Sequence, residues 1–472
     1  MDSSITKQFS HEDLRNEIVG IDKQFPLLDG SYLTYVNLDN AASTPSFKRV
    51  QEKVNEALEL YSSVHRGSGY KSLISTYLYD EARQVVLDFV GGDRDHDVVI
   101  FGKNTSDAIN KLAARFPFQP GDIVLTTTME HHSNDLPWRA RAKVLYVDIN
   151  PDGTLDMDDY QAKLKKFRSK IKLVAVTGAS NVSGFTPPIH EMAEMAHRQG
   201  ALFLADCAQL MPHRKIDMGS VDSPGHLDFI TFSGHKIYAP FGAGGLIGPK
   251  AFFSVGEPDY RGGGTIEIVT LKEVTWAEPP ERDEAGSPNV IGAVAISATI
   301  KQLSEVGMDA IAAHEAELTA YALKKFNAIQ GLKVYGIQDP NRTSERVGVI
   351  PLDVTGIHHG IVAAVLSFEG AIGVRNGCFC AHPYILKLLN VENETYLRFR
   401  DRVLHGDRSM LPGLVRVSFG CYNNFEDVDR VAEMFERIIR HDYKGDYVLE
   451  KQTGSFFPRG FSLQSLNSYF DF

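Results

Sequence analysis

With 472 residues, 43% of them hydrophobic, the chain carries enough apolar side chains for more than one core, so a large domain with a smaller one is expected. A net charge of -11, with lysines and arginines scattered among the acids, excludes the basic footprint of a nucleic-acid or anionic-membrane partner and leaves small-molecule chemistry. Four cysteines are too few for a disulfide framework, the amino terminus is polar, and no apolar run approaches the roughly 18 residues of a membrane span, so a soluble cytoplasmic protein is expected.

Residues 1–30 read as a short helix in HEDLRNEIVGIDKQF and a linker, packing with the smaller domain. The large domain is expected over 31–295. From residue 97 it alternates β-branched runs (DVVIFGKN, DIVLTTTMEHH, AKVLYVDI, KLVAVTGASN, ALFLADCAQ, LDFITFSGHK, GGLIGP) with amphipathic stretches such as PIHEMAEMAHRQG. That alternation predicts an α/β fold with a mostly parallel seven-stranded sheet covered by helices. Residues 296–445 change to longer helical patterns with a few strands, an α+β domain. The tail, 446–472, is rich in aromatics and turn residues and is expected to dock on the surface or on a partner subunit.

Several runs end in polar residues, and ligands of open α/β sheets bind beyond the carboxyl ends of the strands. Lys236 follows Ser-Gly-His and precedes a glycine-rich apolar segment. Such a setting removes water and favours the neutral amine that forms Schiff bases. Asp206 ends the apolar run ALFLAD, where a carboxylate needs a cation, and a protonated pyridine nitrogen serves. The pair Asp206 and Lys236 is the protein's side of pyridoxal phosphate chemistry. Thr105 and Ser106 open a helix after a strand, a place for the phosphate beside Ser233 and His235; the same residues also make an ordinary helix cap. His131 in MEHHSND can stack on a ring, and Asn181 and Gln209 can reach a phenolic oxygen, although each also suits a turn.

The ordered set NLDNAASTP, SVHRGSGY, GKNTSDAIN, MEHHSNDLPW, ASNVSG, ADCAQ, FSGHK, RGGGT, EAGSPN, VRNGCFCA and VRVSFGCYN resembles the class V aminotransferase family, in particular its cysteine desulfurase and selenocysteine lyase branch. The resemblance runs from about residue 35 to 435. It implies the PLP-dependent transferase fold of type I and a homodimer with the active site at the subunit interface. It also implies that Lys236 is the Schiff-base lysine, that Asp206 faces the pyridine nitrogen, that Gln209 and Asn181 lie near the phenolic oxygen, and that His131 stacks on the ring. Ser106, Ser233 and His235 then bind phosphate, with Thr265 and Ser287 reaching the partner's cofactor. Arg416 grips the substrate carboxylate bidentately, with Arg375 as a second candidate.

The family hosts several reactions, and VRNGCFCAHPY discriminates among them. Cys380 matches the family's sulfur acceptor, so the expected reaction takes sulfur from L-cysteine, giving alanine and a Cys380 persulfide that a sulfur-acceptor protein would unload. A related carbon–sulfur or carbon–selenium lyase, or a class V transaminase or epimerase in which Cys380 is incidental, is the alternative; a non-catalytic scaffold or sulfur carrier that keeps the fold is a third reading. Two features depart from the simpler desulfurases. Cys378 makes a Cys-x-Cys pair, as in RNGCFC, which also resembles the molybdenum cofactor sulfurases; it could relay sulfur, trap it as a disulfide, or pack. The charge-rich segment 384–411 is longer than expected and reads as an exposed helix and loop, either a lid or docking surface or a passive insertion. Two cysteines without a second pair fall short of a zinc set, so no metal is expected.

Overall fold

The computed structural model describes residues 11–409 and 411–470. Helices α1 (Lys48–Leu60) and α2 (Tyr70–Phe89) precede a seven-stranded sheet of β1 (Asp97–Gly102), β2 (Ile123–Thr127), β3 (Lys143–Val147), β4 (Ile171–Thr177), β5 (Leu202–Asp206), β6 (Phe229–Ser233) and β7 (Gly244–Pro249). The order is β1-β7-β6-β5-β4-β2-β3; β2 to β6 run parallel and β7 runs antiparallel to both of its neighbours. β2 and β6 are buried at every position, which explains why those runs show no apolar–polar alternation. Helix α3 (Thr105–Arg115) covers one face through Ala108, Ile109 and Leu112 against Phe229 and Leu246. The other face carries Val99, Leu125 and Ile230 together with Val86 of α2 and Ile296 of a later helix. β7 is glycine-rich because the aromatic rings of β6 lie across it: a Cβ on Gly245 would stand 2.5 Å from the Phe232 ring.

Helix α4 (Ile189–His197) packs on β5. After α5 (Val290–Val306) and α6 (Met308–Ala328), a second, antiparallel sheet forms from β8 (Leu332–Val334), β9 (Val349–Val354), β10 (Arg375–Gly377) and β11 (Leu414–Ser418), in the order β8-β9-β11-β10. Helices α7 (His359–Gly370) and α10 (Phe425–Ile439) close its core, in which Val362, Leu366, Val431 and Phe435 meet Ile350 and Val417. Asn424 and Asp427 form a reciprocal capping box at the start of α10.

The N-terminal segment touches both units. Arg15 pairs with Asp427 at 2.9 Å and Leu28 N–H donates to the Phe368 carbonyl, while Leu14 and Ile18 join the large core beside Phe47. The tail forms the hairpin Tyr447–Glu450 and Ser455–Pro458 on α7, with Phe456 against His358 and Phe461 against Phe368. The segment 384–411 differs from the exposed insertion expected of it. It begins inside helix α8 (His382–Leu388), whose Tyr384 and Ile385 are fully buried, Tyr384 Oη donating to the Gly153 carbonyl and lying 2.8 Å from Ser183 Oγ. Only the later part, around α9 (Asn393–Leu404), is charge-rich and largely exposed; composition averaged over the segment hid this division.

Candidate active site

The carboxyl ends of β1, β2, β4, β5 and β6 open onto one cavity, lined by Thr105, Ser106, His131, Asn181, Asp206, Gln209, Ser233, His235, Lys236, Arg375, Cys380 and Arg416. Twelve of the fourteen residues singled out in the sequence thus share a wall: nine follow strands of the large sheet that end on the same side, and Arg375, Cys380 and Arg416 are brought over them by β10, its following loop and β11 of the second sheet. Thr265 and Ser287 do not line it. Thr265 is fully buried, its hydroxyl donating to the Gly262 carbonyl at 2.8 Å, and exposed Ser287 faces a separate cleft beside His65 and Gly264.

Lys236 ends a short turn after β6, and Gln209 Oε1 is 3.4 Å from its Nζ. Burial pulls its pKa down to about 8, against the opposing pull of Asp206. Asp206 is buried and accepts a hydrogen bond from the Ala208 amide on Oδ1 at 3.0 Å; among the described residues none reaches Oδ2. Burial raises its pKa, while the Ala208 amide and Lys236 pull the other way. At the start of α3, Ser106 and Ser133 place their hydroxyls 2.5 Å apart, and Ser233 Oγ accepts from the Thr105 amide while donating to Thr105 Oγ1. His131 Nδ1 accepts from the Ser133 amide at 3.1 Å, which leaves the ring proton on Nε2. Burial, with Lys236 nearby, lowers its pKa to about 3, and burial lowers that of His235 to about 4, so both rings are neutral at physiological pH. His235 also fixes the turn through its carbonyl, which accepts from the Thr44 amide at 2.9 Å.

Two placements refine the expectations. The Asn181 side chain donates to the Phe379 carbonyl at 2.8 Å, so its amide is committed to the cysteine loop as well as lining the cavity. Arg416 is 2% exposed, and its Nη atoms donate to the Asn181 carbonyl and Asp39 Oδ1, both at 2.9 Å, with its guanidinium 4.9 Å above the Phe379 ring. A carboxylate therefore meets an arginine whose outer nitrogens are already bound; among the described residues its buried Nε has no acceptor. Arg375 is exposed and stands 3.9 Å from Asp39.

The cysteine loop is held in an unusual backbone. Gly377, Phe379 and Cys380 have φ of 102°, 50° and 55°, and two left-handed non-glycine residues in succession cost about 1–3 kcal/mol each. Four contacts offset this: His132 N–H to the Cys380 carbonyl at 2.8 Å, Asn181 to Phe379, the Cys378 thiol to the Pro412 carbonyl at 3.0 Å, and His382 stacked on His132 at 4.8 Å. The result leaves Cys380 exposed on the cavity wall and turns Cys378 into a half-buried donor whose pKa burial pushes up to about 12.

The residues present fit pyridoxal phosphate. Asp206 Oδ2 lacks a donor that a protonated ring nitrogen would supply, the Ser106 and Ser133 hydroxyls and the first turn of α3 suit a phosphate, and Lys236 Nζ has only a weak partner for its amine. Ser133 and Asp39 had no role assigned in the sequence. Ser133 lies in the MEHHSND stretch, so proximity to His131 was its one signal; Asp39 lies far along the chain from Arg416, and nothing local joins them.

The family model for class V aminotransferases matches residues 36–431. A probable cysteine desulfurase of Halalkalibacterium halodurans is 36% identical over 430 residues, 88% of this chain and 97% of that protein. One from Pyrococcus abyssi is 35% identical over 414 residues, covering 86% and 94%. Among solved structures, the apo cysteine desulfurase of Thermococcus onnurineus superposes with a TM-score of 0.76 at 32% identity, over 86% of this chain and 95% of that one. The Escherichia coli cysteine desulfurase CsdA gives 0.75 at 26% identity, over 92% and 99%.

Proposed function

Because the chain belongs to the class V aminotransferase family, in its cysteine desulfurase branch, we propose that it removes sulfur from L-cysteine with pyridoxal phosphate, leaving L-alanine and a persulfide on Cys380. The observation that carries this reading is that the accessible Cys380 thiol shares one cavity with Lys236 and Asp206.

When bound, the cofactor supplies an electrophilic carbon for the substrate amine and an electron sink for the pair left by the Cα proton. The chain's own groups do the rest. Asp206 would hold a proton on the ring nitrogen, since among the described residues its Oδ2 has no partner. Lys236 Nζ takes the Cα proton; its lowered pKa makes the neutral amine accessible near neutral pH. His131, neutral, offers a flat apolar face and an Nε2–H to the same space. Arg416 receives the substrate carboxylate, with Nε free and Asp39 yielding one of its contacts, and Arg375 stands ready at the rim.

The Cys380 thiolate attacks the substrate sulfur. A sulfur–sulfur bond forms, the carbon–sulfur bond breaks, and the carbon gains a proton, so that cysteine plus thiol become alanine plus persulfide. A thiol-bearing acceptor then removes the outer sulfur. Ser287 would serve the cofactor of a second subunit, a reading supported by its exposure on a separate cleft and by exposed apolar side chains such as Tyr70, Tyr77 and Leu271, while Thr265, buried with its hydroxyl on the Gly262 carbonyl, would hold the turn beside it. Among the described residues no helix is long and apolar enough to cross a membrane.

The test is alanine and sulfide formation from L-cysteine by wild-type protein and Cys380→Ser, with the cofactor's absorbance recorded for both. The expected result is an unchanged cofactor band and a loss of turnover of at least about a hundredfold in the variant. Unaffected turnover would move the reading to another class V reaction; a protein that takes up no cofactor would end it.

A further inference from the structure

At the amino ends of β5 and β6, the opposite end of these strands from Lys236, three side chains converge that have no part in the reaction above: His197 at the end of α4, and His226 and Asp228 just before β6. His197 Nε2 lies 2.8 Å from Asp228 Oδ2 and His226 Nε2 lies 3.3 Å from Oδ1. Their metal-competent atoms all fall within 4.8 Å of one another.

The other ring nitrogens decide what these groups can be. His197 Nδ1 is 2.7 Å from the Pro224 carbonyl and His226 Nδ1 is 2.7 Å from the Ser223 carbonyl. A carbonyl oxygen can only accept, so each ring keeps a proton on Nδ1 and points Nε2 at the carboxylate; at 2.8 Å His197 Nε2 shares a second proton with Asp228 Oδ2, which a cation would displace. This is the arrangement metal-binding histidines adopt, with the distal N–H fixed by a main-chain carbonyl and the carboxylate held in turn, here by the Phe203 amide at 2.7 Å from Oδ2. One extra proton would satisfy a single ring. Two imidazolium rings stacked with centroids 4.4 Å apart would repel each other. A divalent cation answers both lone pairs and the carboxylate together.

We propose that His197, His226 and Asp228 form a zinc-type site that clamps the 217–228 loop to α4 and to the first residues of β5 and β6. Two imidazoles and a carboxylate are an ordinary zinc donor set, with water completing the tetrahedron. Zinc ligands about 2.1 Å from the ion stand about 3.4 Å apart, so the His226–Asp228 separation already suits it and the His197–Asp228 contact would open by about 0.6 Å. The loop is built for close seating: a Cβ on Gly225 would stand 2.8 Å from the His190 carbonyl of α4, and His190 Nδ1 is 2.8 Å from the Gly225 carbonyl. No short motif announces the site, since the ligands come from a helix end and a loop about thirty residues away in sequence.

The experiment strips the purified full-length protein with a chelator, dialyses it, and titrates it with Zn2+. Bound metal is read by plasma mass spectrometry and the melting temperature by calorimetry, in wild type, His226→Ala and His226→Gln. Asp228 is left intact because it also holds the Phe203 amide. The expected result is an ion that depends on His226, with affinity falling more than about tenfold in both variants, and a zinc-induced rise in melting temperature that both lose. Zinc taken up by Cys378 and Cys380 survives in the variants and is subtracted by the comparison. A wild type that binds no more zinc than His226→Ala overturns the proposal, as does a melting temperature indifferent to zinc. If His226→Ala lowers stability equally with and without metal, the cluster is a hydrogen-bonded network held by a proton. None of these readouts uses desulfurase activity, so the site and the reaction stand or fall separately.

Discussion

Arg416 illustrates how one residue's role depends on partners brought from distant parts of the chain. The sequence presents it as a lone cation in LVRVSFG; the fold surrounds it with the Asn181 carbonyl, Asp39 and the Phe379 ring. Burial lowers its pKa, Asp39 counteracts this, and a guanidinium stays charged throughout. Lysine at this position keeps the charge and loses the planar fork. Arg416→Lys is therefore expected to lower kcat/KM for cysteine by about a hundredfold, mostly through KM, while the cofactor spectrum stays unchanged. Steady-state kinetics on the two proteins check it, and an equal fall in kcat alone would assign the residue to chemistry rather than to binding. Lys236 and Asp206 were legible because their local setting is costly without a purpose: an amine followed by apolar, glycine-rich chain, and a carboxylate at the end of a buried strand. Asp39 and Ser133 carried no such cost.

The element that matters most to the proposed chemistry is the loop from β10 to α8, which carries Cys378 and Cys380. Its left-handed residues are kept in place by contacts from three other elements, among them the Asn181 amide on the Phe379 carbonyl. Asn181→Ala cuts that tie and leaves the Asn181 main-chain carbonyl on Arg416. We expect kcat to fall about tenfold or more with little change in melting temperature or cofactor content, because the thiol, not the fold, loses its position. A fall in stability that parallels the fall in rate would make the contact structural. The outer side of the same loop faces a cleft walled by Arg408 and by the turn of the tail hairpin at Thr453, with the Arg408 amide donating to the Lys451 carbonyl at 2.9 Å. The sequence left the tail's docking place open between its own surface and a partner. Within one subunit the tail packs on α7, and only the pairing of Phe456 and Phe461 with side chains about a hundred residues earlier decides that.

Across the whole molecule, Glu315 of α6 ties the two units together. It accepts from the Gly348 amide at 2.7 Å, stands 2.7 Å from His213 Nδ1 and pairs with Arg214. Burial pushes its carboxyl upward, but His213, Arg214 and the Gly348 amide outweigh that and hold the pKa at about 2 against an ordinary 4.5. A carboxyl held low in the folded state contributes stability that is fully present above pH 4.5 and drains away as pH falls toward 2. Urea midpoints measured at descending pH should therefore fall more steeply below pH 4.5 in wild type than in Glu315→Gln, which is less stable at neutral pH and converges with wild type in acid. Parallel pH profiles for the two proteins would remove Glu315 from the account.

The sequence by itself determined the α/β architecture, the seven strands and their helices, and the buried strand-end settings of Lys236 and Asp206. Hydrophobic periodicity and the cost of burying charge are local, and both are written in consecutive residues. Tertiary structure alone decided that Arg416 is shared with Asp39, that Tyr384 lies inside a core helix, that Asn181 holds the cysteine loop, and that two histidines meet one aspartate at the amino ends of β5 and β6. Those partners are set by where β5, β6, β11 and the loops end in space, and the closing of long loops leaves no mark in any short stretch of chain.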